Sequence, residues 1–178
     1  MNIILTILLV IAGLIAILLI LALFTRKNYS LERKIDINRP LPEVFNYIKH
    51  LKNQNQFSKW VMTDPQKKTD YKGTDGTVGF IYAWDGNKEA GKGEQEIKNI
   101  IDGKRIDIEV RFVRPFEGIA STPFTTEQKA SNQTQLTWGM TSTMKYPMNV
   151  MLLFIDMDKA LGKDLEISLS NLKGILEK

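Results

Sequence analysis

From Ile3 to Phe24 every side chain of this 178-residue chain is apolar or small except Thr6, and none carries a charge. At ~1.5 Å rise per residue such a helix is roughly 33 Å long, enough to cross the ~30 Å hydrocarbon core of a bilayer. A helix also satisfies its own backbone hydrogen bonds, as lipid requires. A cleavable signal peptide carries a basic start, a shorter apolar core and a small-x-small cleavage site. This segment opens Met1-Asn2 with no basic side chain, runs longer, and ends Leu21-Ala22-Leu23-Phe24-Thr25, a poor cleavage site. Residues 1–24 therefore read as a transmembrane anchor, 25–28 as a short basic linker and 29–178 as a separate domain. Arg26, Lys27, Arg33 and Lys34 all follow the helix, so the positive-inside rule places that domain on the cytoplasmic side of a single-pass membrane protein.

The remaining ~150 residues are the size of one ordinary domain. Its net charge of +4 is a mild excess of scattered Lys and Arg. That suits proximity to anionic lipid, but with no basic stripe and interleaved aromatics it does not favour nucleic acid as a partner. Zero cysteines exclude disulfides, thiolate metal sites and a cysteine nucleophile. The single histidine, His50, sits between Lys49 and Lys52 at the end of a short helical pattern and reads as a surface residue. No metal and no cofactor are expected.

The pattern after the anchor is a half-buried strand, with Leu31, Arg33, Ile35 and Ile37 opposite Glu32, Lys34, Asp36 and Asn38. Pro40 and Pro42 end it, and Pro42 with Glu43 suits the first turn of a helix whose apolar face is Val44, Tyr47, Ile48 and Leu51. A second helical piece holds Phe57 and Trp60. Strands follow: Val78, Phe80, Tyr82 and Trp84 on one face; Gly91 to Ile101, with Gln95, Ile97 and Asn99 opposite Glu94, Glu96 and Lys98; then Ile106, Ile108, Val110 and Phe112 after an Asp102-Gly103 turn. A more polar strand spans about Ala120 to Gln128, and a last one, Thr134 to Met144, aligns Leu136, Trp138 and Met140. The apolar stripe Phe154, Met157, Leu161, Leu165, Leu169, Leu172 and Leu176 predicts a closing helix over about Met148 to Leu176.

This order makes an α+β domain in which the sheet covers the closing helix. Together with Ile35-Asp36-Ile37-Asn38-Arg39-Pro40, Phe57-Ser58-Lys59-Trp60, Gly76-Thr77-Val78-Gly79, Tyr82-Ala83-Trp84, Leu136-Thr137-Trp138-Gly139-Met140 and Gly162-Lys163-Asp164-Leu165-Glu166, it resembles the SRPBCC superfamily. That superfamily includes START lipid-transfer domains and the birch pollen allergen. Within it the chain is most similar to the polyketide cyclase/dehydrase and lipid transport branch, over nearly all of residues 29–178. The resemblance implies a helix-grip fold, a curved antiparallel sheet wrapped around a long C-terminal helix with an apolar cavity between them. Here one transmembrane helix precedes it. A membrane helix ahead of such a domain also resembles bacterial members, which implies the bacterial cytoplasmic membrane.

Three functional readings follow. The first is a membrane-anchored binding module for a hydrophobic small molecule or lipid. Its cavity candidates are Arg33, Trp60, Phe80, Tyr82, Trp84, Trp138, Met140, Met157 and Leu161. Arg33 enters as a cation in phase with an apolar strand face, and the aromatics because ligand pockets are mostly apolar. The second is a cyclase or aromatase, which needs an acid or base in the cavity; Arg33, Tyr82, Asp156 and Asp158 are the weak candidates, so no catalytic residue is assigned. The third is a protein-interaction domain of co-chaperone type, marked by an exposed apolar patch around Pro115-Phe116 or Tyr146-Pro147-Met148. Gly162, inside the closing helix, marks a close approach by a strand or ligand.

Overall fold

A computed structural model describes residues 2–178. The N-terminal helix α1 (Ile3–Phe24) is capped at its start by the Asn2 side chain, which accepts from the Ile4 amide. It is the one helix among the described residues long and apolar enough to cross a membrane, with a mean hydropathy of 3.4. Its side chains are exposed except at Ala22. After residues 25–27 the chain enters β1 (Asn28–Ile37).

The domain continues through α2 (Leu41–Ile48), a 3-10 turn at Leu51–Asn53, and two single-turn helices, α3 (Gln54–Phe57) and α4 (Lys59–Met62). Seven strands follow: β2 (Lys68–Lys72), β3 (Ile81–Asp85), β4 (Lys92–Ile101), β5 (Arg105–Arg114), β6 (Gly118–Ser121), β7 (Phe124–Ala130) and β8 (Gln133–Thr143). A 3-10 turn at Met148–Leu153 leads to the closing helix α5 (Met157–Leu176). All pairings are antiparallel in the order β1-β8-β6-β5-β4-β3-β2, with β7 filling the far half of the gap between β5 and β8. The curved sheet holds α5 against its inner face, which is the helix-grip architecture.

The two-residue period places Leu31 and Ile37, Leu136 and Met140, and Ile106 and Ile108 on that inner face. They meet Leu165, Leu169, Leu172 and Leu176 of α5, and Val44, Phe45, Ile48 and Leu51 close the same end. The short helices are pinned to α5 by polar bonds. Ser168, fully buried, accepts from the Lys59 amide at 2.9 Å, and the Asn171 amide donates to the Phe57 carbonyl at 3.2 Å. α5 runs alongside β1 in the same direction: Arg33 reaches Asp158 and Glu166, and the Lys173 ammonium donates to the Asp36 carbonyl. The start of α5 therefore lies nearer the end of the sheet at which α1 joins.

The structure corrects several expectations. The closing helix begins at Met157, where the Asp156 side chain caps it, so Phe154 lies outside it and is 73% exposed. Val78 precedes β3 and is also exposed. The polar strand is two pieces, because Pro123 has no N–H to donate and the chain breaks at Thr122-Pro123. In β4 a register shift between Ile97 and Asn99 turns Asn99 outward and sends Ile100 against the core.

Candidate functional site

Between the sheet and α4/α5 lies a cavity of about 250 Å³. It exists because Phe57 and Leu165 through Leu176 fill only the half of the grip distant from α1. On the nearer half, the chain between β8 and α5 swings out to α1 instead of packing inward. Tyr82 and Trp84 of β3, Gln95 of β4, Val110 and Phe112 of β5, and Trp138 and Met140 of β8 form the sheet wall. Gln54, Trp60, Val61 and Leu161 form the helical wall. The exposed or half-exposed rim comprises Thr63, Lys67, Glu89, Ala90, Arg114 and Pro115.

Each aromatic is held from behind. The Trp60 indole N–H donates to Asp164 at 3.0 Å, fixing it between α4 and α5. The Trp84 indole N–H donates to the Ala90 carbonyl at 3.0 Å, and its ring meets Phe112 edge-on with centroids 6.3 Å apart. Gly93, its cross-strand neighbour, makes this possible: a Cβ there would stand 2.8 Å from the Trp84 ring. Trp138 packs against Phe124 at 4.7 Å, Trp60 at 5.8 Å and Phe57 at 6.1 Å. Its indole N–H is buried and has no hydrogen-bond partner among the described residues. All three tryptophans of the chain line this one cavity.

The interior polar groups are mostly satisfied by one another. The Gln95 amide donates to the Gln54 carbonyl oxygen at 3.1 Å, with both side chains buried. Tyr82 donates its hydroxyl to Asn55 Oδ1 at 2.7 Å, which directs that group to the protein. Burial, and secondarily Tyr71, raises the Tyr82 pKa well above the ordinary phenol value, so it stays neutral at physiological pH. At the rim, the Lys67 ammonium donates to the Val61 carbonyl at 2.6 Å, while Arg114 pairs with Asp85. Among the described residues no cluster of His, Asp and Glu could hold a metal ion. The chemistry here is an apolar box with a few fixed amides, and the one carboxylate of its lining, Glu89, is exposed at the rim.

Of the nine residues singled out from the sequence, six meet at the cavity: Trp60, Tyr82, Trp84, Trp138, Met140 and Leu161. Arg33, Phe80 and Met157 stand apart from its walls. Phe80 is core, stacked on Tyr71 with centroids 6.2 Å apart. Met157 is half-buried at the first turn of α5. Arg33 does face α5, yet carboxylates take it. It grips Asp158 with two nitrogens, at 2.8 and 3.0 Å, and donates Nε to Glu166 at 2.6 Å. The Arg33 hydrogen bond holds the Asp158 carboxyl below the usual carboxylate range. Gly162 supplies the room, because a Cβ there would overlap the guanidinium. The close approach expected at Gly162 is thus made by a side chain. Sequence reasoning missed Gln54, Ser58, Lys67 and Arg114 as cavity residues; Gln95, Val110 and Phe112 carried a signal in their strand phase, the first with Ile97 and the others with Ile106 and Ile108.

No protein-family model and no curated protein sequence matches the chain. Solved structures do. Norcoclaurine synthase from Thalictrum flavum, in complex with dopamine and hydroxybenzaldehyde, superposes with a TM-score of 0.63 at 8% identity, over 88% of this chain and 90% of that one. A Streptomyces aromatase/cyclase, Zhui, gives 0.61 at 11% identity, over 84% and 94% of the two chains. The protein Ara h 8.0201 gives 0.54 at 13% identity, over 84% and 97%. At such identities the likeness carries the fold alone, and on that ground residues 28 onward form a helix-grip domain.

Proposed function

We propose that this protein is a membrane-anchored module that binds a small hydrophobic molecule, lipid- or isoprenoid-like, in the cavity between sheet and α5. The observation that carries the reading is the cavity itself, walled by three tryptophans and by aliphatic side chains. Its ~250 Å³ approaches the ~300 Å³ lower bound of small-molecule pockets, which are apolar with a few placed polar groups. Each ~100 Å² of apolar ligand surface taken from water contributes about 2.5 kcal/mol. The similar structures whose names include a synthase and a cyclase support an SRPBCC assignment and a ligand-holding interior. The cyclase alternative has less support, since Tyr82 is neutral and engaged by Asn55, Asp158 is paired with Arg33, and Asp156 caps α5.

Anchoring is supported by more than hydropathy. Asn149 is fully buried, and its side-chain amide donates to the carbonyls of Ala22 at 2.7 Å and Thr25 at 2.9 Å. The domain thus carries a socket for the last turn of α1, which loss of the helix would empty. The basic residues following α1 support a cytoplasmic domain on the positive-inside rule. A fluorescence titration tests the binding reading. Because all three tryptophans line the cavity, the full chain titrated with cis-parinaric acid should show saturable energy transfer from tryptophan at one probe per chain. The Val110→Phe variant, with its cavity partly filled, should show only the linear background of probe in the micelle. Equal transfer in both proteins would sink the reading.

A further inference from the structure

The strand register gathers one end of the sheet around the exit of α1. Asn28 pairs with Thr143, Ala120 with Ser142, Gly118 with Phe112, and Lys92 with both Arg114 and Asp85. The loops that leave this end carry large apolar side chains with no cover. Phe116 is 69% exposed and Phe154 73% exposed, with Ile119, Tyr146, Met148 and Leu153 also open to solvent. At the opposite end, the β4–β5 turn is the polar Asp102-Gly103-Lys104, and the exposed apolar side chains there are the aliphatic Val78 and Ile101. The largest exposed aromatic side chains of the domain therefore lie toward the helix exit, where Phe24 of α1 is itself 86% exposed.

Placement is constrained as well. Only residues 25–27 separate α1 from β1, and Asn149 ties the Met148–Leu153 turn directly to the last turn of α1. Whatever surrounds the end of that helix also meets Phe154 and its neighbours. Arg26, Lys27, Lys88 and Lys145 lie on the same side, alongside Glu89, Glu117 and Asp156, and the first two stand where the helix leaves the bilayer and anionic headgroups attract them. The cavity is off-centre toward this end too, since Glu89, Ala90, Arg114 and Pro115 form much of its rim, with Thr63 and Lys67 completing it. Pro115 is chain neighbour to Phe116.

We propose that the loop carrying Phe116 and the segment Tyr146–Ile155 rest in the headgroup region of the bilayer that α1 crosses. The cavity mouth then faces the membrane and takes its occupant from the lipid phase. This rests on the reading of α1 as an anchor and of the cavity as a binding site. It adds which surface docks and the route by which a ligand enters. Aromatic and aliphatic side chains at that depth are stabilised by the interface, and a ligand passing beneath Arg114 and Pro115 need not cross water.

The chain has no cysteine, so single labelling sites are available without other changes. Leu14→Cys, Lys104→Cys, Phe116→Cys and Phe154→Cys, each carrying a nitrobenzoxadiazole dye, are placed in the full chain and reconstituted into phosphatidylcholine–phosphatidylglycerol vesicles. Doxyl-labelled phosphatidylcholine is the quencher. Positions 116 and 154 are exposed, so their substitution leaves the core intact. The expected result is blue-shifted emission and a several-fold greater loss of fluorescence at 116 and 154 than at 104, with the deepest quenching at 14. Quenching at 14 alone would overturn the proposal while leaving the anchor in place. No quenching at 14 would overturn both. Shielding at 116 and 154 that follows protein density and ignores the doxyl lipid would assign the patch to a second copy and overturn it as well. No ligand enters the measurement, so its outcome is independent of whether the cavity binds cis-parinaric acid.

Discussion

Trp138 stands at the junction of core and cavity, and two substitutions there separate the energies involved. Truncation to Ala removes a side chain that is 3% exposed and packed on three aromatic rings, a change that costs ~3–5 kcal/mol in cores. The indole N–H, however, is buried without a partner, and such a donor costs about 1–3 kcal/mol that either substitution relieves. Trp138→Ala should therefore destabilise by about 2 kcal/mol, a central packing loss of ~4 less ~2 for the relieved donor. Trp138→Phe keeps one ring and gives up on the order of 40 Å² of apolar contact, or about 1 kcal/mol, against the same relief. It should be close to neutral. Urea unfolding of the full chain in mild detergent, followed by fluorescence of Trp60 and Trp84, reads the difference. With a slope of about 2 kcal/mol per M, the Ala variant should lose roughly 1 M of midpoint and the Phe variant much less. A Phe variant as unstable as the Ala variant would refute the reasoning, because it would mean that the N–H makes a stabilising bond.

Gly162→Ala should gain little stability in the native background, because its methyl displaces Arg33 from Asp158 and Glu166, but about 1 kcal/mol in an Arg33→Met background, where helix propensity acts alone. A double-mutant cycle on urea midpoints measures this, and additive effects would contradict the contact. Asp158, Asp85 and Glu96 are held below the ordinary carboxylate range chiefly by hydrogen bonds from Arg33, Lys92 and Arg111 respectively. A carboxyl depressed in this way stabilises the fold above its unfolded pKa of ~4, and that contribution disappears as pH falls through the folded value. Unfolding midpoints should thus be level from about pH 7 to 5 and decline below ~4, less steeply in Arg33→Met; a midpoint that rises on acidification would be incompatible. Asn149→Ala should speed amide exchange across Met148–Leu153 while leaving β5 and β8 protected, and an unchanged exchange pattern there would show that the anchor is not socketed.

The elements legible in the sequence were those with one wet and one dry face. β1, β5 and β8 alternate cleanly, and the leucine stripe of α5 marks its buried side. β2 was not legible, because Lys68–Lys72 is an edge strand with every residue exposed, so it carries no hydrophobic period. The β4 bulge and the 3-10 turn before α5 depend on tertiary contacts, the latter on Asn149 reaching back across the whole chain to Ala22. For the site, strand phase found the aromatics of β3 and β8. It could not tell core from cavity wall, since Phe80 and Tyr82 alternate alike with Trp84 yet only the latter two border the void. Arg33 illustrates the same limit: its inward phase was visible, but the carboxylates that engage it lie more than a hundred residues away. The pairing of Gln54 with Gln95 was hidden because it links a single-turn helix to a distant strand.

Native mass spectrometry of the full chain, released from detergent after purification from membranes, tests the binding claim most directly. The account predicts one apolar molecule per chain, retained by the native protein and absent from Val110→Phe while the thermal midpoint of that variant is unchanged or higher. A native protein that carries nothing, even after loading with membrane lipid extract, would contradict it. So would a molecule held equally well when the cavity is filled.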